Sequence, residues 1–197
     1  MSEYQSSITY FKKPGKENSE KVMELSLKKA QELCLTTALV ASTTGYTAKL
    51  AVDVLMGMDI VVVTHAAGYK EPDFQEFDSE VKAYVESKGA QVVTAQHTFS
   101  GVNRAIRDSF NGFQAEEVVA NVLRLFGQGM KVVFEIAMMA ADAGKVSCKE
   151  PVLVIGGTHR GADLGAVVIP TNSSRFFDLK IVDVYCMPSI KHPLVNK

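Results

Sequence analysis

Four aliphatic hydroxyls and one glycine crowd into the six residues Ser42-Thr43-Thr44-Gly45-Tyr46-Thr47. Hydroxyls add side-chain donors, and glycine lets an oxygen-rich ligand come close to the main chain. Ahead of them Thr37 to Val40 is an apolar run of strand length, and behind them Leu50, Val54 and Leu55 carry helical spacing. A helix opening near Tyr46 or Thr47 would aim its unpaired N–H groups and positive dipole end into this turn, which suits a phosphate. The same residue types also serve as ordinary helix N-caps. A second loop, Gly156-Gly157-Thr158-His159-Arg160-Gly161-Ala162-Asp163, combines three glycines with a planar cationic fork in Arg160, matched to phosphate or carboxylate. Its alternative is a glycine-rich turn between two strands. Acid/base candidates are His65, His97, His159, Glu135 and Asp163. None sits in a diagnostic spacing: the sequence has no GxSxG elbow, no HExxH helix and no P-loop with its lysine.

These loops need elements to hold them. Ile8 to Phe11 reads as a short strand, ended by the basic turn Lys12-Lys13-Pro14-Gly15-Lys16, and Asn18 or Ser19 caps a helix running to about Leu33. Asp59 to His65 is a continuous β-branched run, as expected of a strand buried on both faces. Thr64, His65, Gly68 and Tyr69 therefore lie past the carboxyl end of a strand, where open α/β sheets place ligands. Phe77 to Val85 reads as an amphipathic helix ended by Gly89, and Gln91 to Ala95 as a strand followed by the loop Gln96 to Gly101. Helices are predicted over 102–110, 115–126 and 130–143. The last is apolar nearly all round and is expected to lie against the sheet or a partner subunit. Glu135 is its exception, a carboxylate that burial would penalise unless a neighbouring loop, a ligand or a catalytic role employs it. Val152 to Ile155 and Ala166 to Ile169 read as strands, Leu179 to Met187 as a last, edge-type strand, and the tail from Pro188 as an irregular arm. Strands alternating with amphipathic helices predict one α/β domain over 1–197, a three-layer sandwich with a largely parallel sheet. Loops 42–47, 64–69, 97–101 and 156–163 then gather at one sheet edge, with Tyr46, Tyr69 and Phe99 as aromatic candidates for a flat ring.

Composition narrows the partners. The chain has 197 residues, 47% hydrophobic, with a net charge of −1 and no long run of either sign. Neither nucleic acid nor an anionic membrane is favoured. Met1 to Ser7 lacks the apolar stretch of a secretory signal, and no apolar run reaches spanning length, so a cytoplasmic location is expected. Cys34, Cys148 and Cys186 lie far apart without ligand spacing and read as reduced, half-buried residues.

The order strand, Ser42 to Thr47, helix, then Ile60-Val61-Val62-Val63-Thr64, resembles the carboxy-terminal α/β domain of pyruvate kinase. In that domain a similar hydroxyl-glycine loop grips the phosphate of a sugar-bisphosphate effector. The loop from Gly156 to Gly161 is similar to its second effector segment. The likeness runs from about Thr36 onwards, and the helical segment 102–144 departs from it. Because no catalytic barrel is present in this sequence, no pyruvate kinase activity is expected. The chain is more similar still to stand-alone pyruvate-kinase-like α/β proteins, which share the opening Tyr10-Phe11-Lys12-Lys13-Pro14-Gly15-Lys16-Glu17-Asn18 and a segment like Glu135 to Gly144. Members of that group are associated with bound FMN. The resemblance implies that Ser42, Thr43, Thr44, Gly45 and Thr47 hold the phosphate, with Gly156, Gly157, Thr158 and Arg160 nearby. Tyr46 and Thr64 join them by position, and His65, Ser100, Gly101, Glu135 and Met139 are the candidates on the ring side. The expected function is binding of a phosphorylated small molecule, FMN first. The alternatives are a flavin-dependent or phosphate-substrate enzyme, and an effector-sensing module in which ligand alters a homo-oligomer through Val132 to Ala141.

Overall fold

The computed structural model describes residues 3–189. Among these residues seven strands form one sheet in the order β1-β7-β6-β5-β2-β3-β4. They are β1 (Thr9–Phe11), β2 (Thr37–Ala41), β3 (Asp59–Val63), β4 (Gln91–Val93), β5 (Val152–Gly156), β6 (Leu164–Ile169) and β7 (Lys180–Pro188). The helices are α1 (Ser19–Leu33), α2 (Tyr46–Val54), α3 (Ser79–Ser87), α4 (Val102–Phe110), α5 (Ala115–Arg124) and α6 (Gln128–Asp142). β5, β2, β3 and β4 run parallel, because each is reached through helical crossovers. β6 is antiparallel to β5, since the loop 157–163 between them is too short for a crossover, and β7 returns antiparallel to β6.

Side-chain alternation explains the layers. Ala38, Val40, Ile60, Val62, Leu153 and Ile155 point to the face covered by α1, α2 and α3. Leu39, Val61, Val63 and Val154 point to the other face, against Met130, Val133, Ile136, Ala137 and Ala140 of α6. A sheet apolar on both sides needs cover on both sides, and the result is the expected three-layer α/β sandwich with a mixed, largely parallel sheet.

Three expectations are corrected. β7 is interior rather than an edge strand: it pairs with β6 on one side and in parallel with β1 on the other. Pro188 closes that pairing opposite Phe11, and Ser189 N–H donates to the Phe11 carbonyl, so the chain is still paired where an irregular arm is predicted; residues 190–197 of that arm lie outside the described residues. The anchor is Tyr185, whose hydroxyl lies 2.7 Å from Ser26 of α1 and whose ring fills the space above Gly165, where any side chain would collide. Of the three free cysteines, Cys34 and Cys148 are exposed and Cys186 is buried; none is half-buried. α6 is taken up by the sheet of its own chain. Uncovered apolar side chains are found on α4 and its neighbours, with Phe110, Phe113 and Leu125 about four-fifths exposed (78%, 80% and 81%), and also at Met56 and Phe177.

Candidate functional site

β2 ends at Ala41 and α2 begins at Tyr46, with Gly45 in the N-cap position at φ +106. Ser42 is buried and structural: its N–H donates to the Val63 carbonyl, and its Oγ accepts the Ala48 N–H at 3.2 Å. It acts as the cap that Gly45 cannot supply. The N–H groups of residues 43–47 find no acceptor among the described residues. Main-chain donors left open at a helix N-terminus are suited to an anion. Gly45 itself faces away from it. A Cβ there would lie 2.6 Å from Val81 Cγ1, so this glycine is required by the packing of α2 on α3, and close ligand approach is not its reason.

The donors border a cavity of about 680 Å³ at the carboxyl ends of β2, β3 and β5. β2 is where the chain reverses: the crossover to β3 lies on one face of the sheet, and the crossover into β5 lies on the other. Open α/β sheets form their crevice at that position. Thr43, Thr44, Tyr46 and Thr47 form one wall. Val132, Ile136 and Met139 of α6 form an apolar wall, and Lys16, His159 and Arg160 bring cationic or titratable groups. Lys16 Nζ lies 4.0 Å from the Tyr46 ring centroid, a cation-π contact that holds the ammonium at the mouth.

Two polar clusters meet at the floor. His65 Nδ1 lies 2.8 Å from Glu76 Oε2, and its Nε2 lies 3.3 Å from Thr43 Oγ. An ionised carboxylate only accepts, so Nδ1 carries the proton and Nε2 is the acceptor for the Thr43 hydroxyl. Burial lowers the His65 pKa below its ordinary 6.5, with His97 adding to the fall against the opposing pull of Glu76. That direction favours the neutral imidazole. Burial would raise Glu76, but the His65 hydrogen bond and the charges of His65 and Arg160 take it below the usual range. Arg160 Nη2 sits 3.4 Å from Glu76 Oε1 while its side chain stays 56% exposed. Tyr69 stacks on His97 at 4.8 Å and 22°, and its centroid is 4.4 Å from that of His65.

Glu135 anchors the second cluster. It is 3% exposed, pairs with the similarly buried Lys131 one turn earlier, and lies 3.4 Å from His97 Nδ1. Its Oε1 accepts the Phe99 N–H at 3.3 Å, so a neighbouring loop does employ it. Burial works to raise its pKa, yet the His97 hydrogen bond and the Lys131 charge together hold it down at about 2. Lys131 moves the other way from a simple ion pair: burial lowers its pKa more than Glu135 raises it.

The loop after β5 is drawn tight by Asp163, whose Oδ2 accepts from Gly15 N at 2.9 Å and Thr158 N at 3.2 Å. This ties the basic turn before α1 to the cavity, and Gly161 allows the approach, since a Cβ there would lie 2.5 Å from Lys16 Cα. Asp163 Oδ1 is buried without a partner, and burial raises the pKa of the carboxyl.

Of the residues predicted from sequence, Ser42, Thr43, Thr44, Tyr46, Thr47, Thr64, His65, Glu135, Met139, Gly157, Thr158 and Arg160 line the one cavity. Gly156 lies behind the lining, packed so that a Cβ would be 2.7 Å from the Gly129 carbonyl. Ser100 and Gly101 are placed elsewhere: they border a neighbouring cleft with Arg104, beyond the stacked Tyr69 and His97. Sequence reading missed Lys16, Gln128, Val132 and Ile136 in the lining, and Glu76 behind His65. Among the described residues no three His, Cys, Asp or Glu side chains are grouped to hold a metal ion, and no helix is long and apolar enough to cross a membrane.

The model of the pyruvate kinase α/β domain matches residues 20–168, about three-quarters of the chain. Among solved structures, a pyruvate kinase from Cryptosporidium parvum is similar at 15% identity and a TM-score of 0.39, covering 76% of this chain and 22% of that one. A structure of Cryptosporidium parvum pyruvate kinase in complex with ADP is similar at 15% identity and a TM-score of 0.39, covering 83% of this chain and 23% of that one. The chain spans less than a quarter of the length of these enzymes.

Proposed function

The chain belongs to the pyruvate kinase α/β-domain family, and from that premise we propose that it binds a phosphorylated small molecule, FMN, in the cavity at the ends of β2, β3 and β5. The observation that carries this reading is the run of N–H groups over 43–47 without an acceptor among the described residues, beside a cavity that Lys16 and Arg160 also line. Such a site is complementary to a phosphate dianion. The rest of the cavity suits a flat, half-apolar ring: Val132, Ile136 and Met139 offer an apolar face, and Tyr69 an aromatic one. Its volume of about 680 Å³ lies within the range for small-molecule sites, roughly 300–1,000 Å³. The residues therefore fit FMN, with Thr43, Thr44, Tyr46 and Thr47 at the phosphate and α6 along the ring. Bound there, the flavin supplies redox chemistry of its own; the protein supplies the cradle and the buried Glu135–Lys131–His97 cluster beneath it.

The test is a fluorescence titration of the purified protein with FMN, riboflavin and inorganic phosphate. FMN is expected to bind at least tenfold tighter than riboflavin, and phosphate to compete with it. Equal affinity for FMN and riboflavin would remove the phosphate cradle from the reading, and no binding of either would remove the flavin. The effector-sensing alternative loses its proposed lever, because α6 is occupied by its own sheet. If the chain self-associates, the exposed face of α4 and α5 is the surface that gains by it.

A further inference from the structure

Thr43, His65 and Glu76 form a hydrogen-bonded chain in the order hydroxyl, imidazole, carboxylate, with distances of 3.3 Å and 2.8 Å. We propose that this chain is a catalytic relay that makes the Thr43 hydroxyl a nucleophile toward phosphomonoesters held in the 43–47 cradle, so that the site transfers a phosphoryl group as well as binding one. The proposal rests on the reading of the cavity as a phosphate site.

Its parts meet the three requirements of a covalent relay. The nucleophile is within reach of a base, the base is oriented by a third group, and donors await the charge of the transition state. Thr43 lies on a strand-to-helix turn, with its own N–H and the next four unpaired around it. His65 follows β3, and Glu76 follows it in the long connection to α3, so three separate positions converge on one line. Glu76 is only 12% exposed at its side chain and also meets Arg160, which fixes it without neutralising its hydrogen bond to His65. A hydroxyl that merely lined a phosphate site would not need a half-buried, carboxylate-oriented imidazole behind it. A phosphate ester is favoured over a neutral ester because the free N–H groups, Lys16 and Arg160 would otherwise face an uncharged substrate.

The step balances within the protein and water. Thr43 Oγ attacks phosphorus, forming the Oγ–P bond as the P–OR bond breaks; the Thr43 proton passes to His65 Nε2 and then to the departing alkoxide, giving R–OH. Water next attacks the phosphothreonine, one of its protons passing through His65 Nε2 back to Thr43 Oγ, and phosphate leaves. The groups facing His65 are Glu76 and, beyond it, Arg160; His97 and Tyr69 stacked beside it; and Glu135 behind His97.

The full chain is incubated with p-nitrophenyl phosphate, with alcohol release and free phosphate measured together. Wild type is expected to turn over, with FMN, itself a phosphomonoester, competing as an alternative substrate that yields riboflavin and phosphate. Thr43→Ala and His65→Gln should each lose about 100-fold or more, within the usual span for acid–base catalysis. Thr43→Ser should retain activity. Acid quenching should trap a phosphoryl group on the peptide containing Thr43 in wild type and not in Thr43→Ala. Glu76→Gln, which removes the charge that favours protonated His65, should move the acidic limb of the rate profile to lower pH as well as slow the rate. Melting curves establish that each variant is folded. Wild type that binds FMN but releases no phosphate overturns the relay and leaves the binding site standing. Failure to bind FMN, riboflavin or phosphate overturns the binding reading itself, and turnover that survives Thr43→Ala undiminished overturns Thr43 as nucleophile.

Discussion

Replacing Glu135 by glutamine isolates one interaction that the fold needs whatever the cavity binds. Both Glu135 and Lys131 are nearly sealed from water, at 3% and 7% exposed, and their carboxylate and ammonium are each other's main neutralising charge. Removing one charge from a buried pair costs about 3–5 kcal/mol, because the other is left uncompensated. The glutamine carbonyl would still accept the Phe99 N–H, and Lys131 is already drawn toward neutrality by burial, so the low end, about 3 kcal/mol, applies. At roughly 2–4 °C per kcal/mol for a chain of this size, the melting temperature should fall by about 6–12 °C. The pH dependence supplies a second reading. Glu135 is held at about 2 in the folded protein against an ordinary 4.5, so in that window the unfolded chain binds more protons. Its stabilisation is complete above the ordinary value and is lost as the pH falls toward 2. Urea unfolding of wild type and Glu135→Gln should therefore differ at neutral pH and converge in acid. The double replacement Lys131→Met with Glu135→Leu, apolar and similar in volume, should recover most of the loss. A single variant within about 0.5 kcal/mol of wild type at neutral pH, or a gap that persists unchanged into acid, would refute the pairing as the source of stability.

Gly45→Ala combines a left-handed backbone at φ +106 with a Cβ 2.6 Å from Val81, and should cost about 1–3 kcal/mol in thermal unfolding. Adding Val81→Ala should relieve only the steric share. Tyr185→Phe removes the hydroxyl that donates to Ser26, whose own proton goes to the Val22 carbonyl, and should cost about 1 kcal/mol by urea denaturation, with no effect on FMN fluorescence. Replacing Phe110 and Phe113 by serine should leave the melting temperature nearly unchanged, since both rings lie in solvent, but should lower any concentration-dependent mass seen by light scattering.

Sequence was most informative where one physical signal dominated. The β-branched run at 59–63 and the apolar run at 152–155 could be satisfied only by strands covered on both faces, and both lie mid-sheet. The hydroxyl turn could be placed at a helix N-terminus from spacing alone. Strand neighbours were less legible. Leu179 to Met187 alternates like an edge strand, yet three residues of β1, from the far end of the chain, pair with Cys186, Met187 and Pro188 at its end; no local pattern carries that pairing. The site failed in the same way. Lys16 reaches the cavity because Asp163 ties the turn before α1 to the loop after β5, a contact spanning 148 residues. Glu76 lies in a polar connection with no periodicity, and only the folded loop puts its carboxylate on His65.

On the proposed reading the hydroxyl turn has two jobs, and its residues divide them. Ser42 commits its oxygen to capping α2, and Gly45 supplies the backbone bend and the clearance that Val81 requires. The turn is thus held from behind, on the α3 side, and its remaining groups need no further role in the fold. That leaves Thr43, Thr44 and Thr47 lining the cavity, with main-chain N–H groups that have no acceptor among the described residues. A turn serving only to start a helix has no reason to be secured by a neighbouring helix while its own donors stay open. The consequence separates the two roles experimentally. Ser42→Ala should destabilise the fold by about 1 kcal/mol, the ordinary cost of losing a cap, with little change in the ratio of FMN to riboflavin affinity. Thr47→Val should do the reverse, sparing the melting temperature while narrowing that ratio. Equal effects of the two substitutions on both measurements would mean that cap and cradle are one function, and the division of the turn would fall.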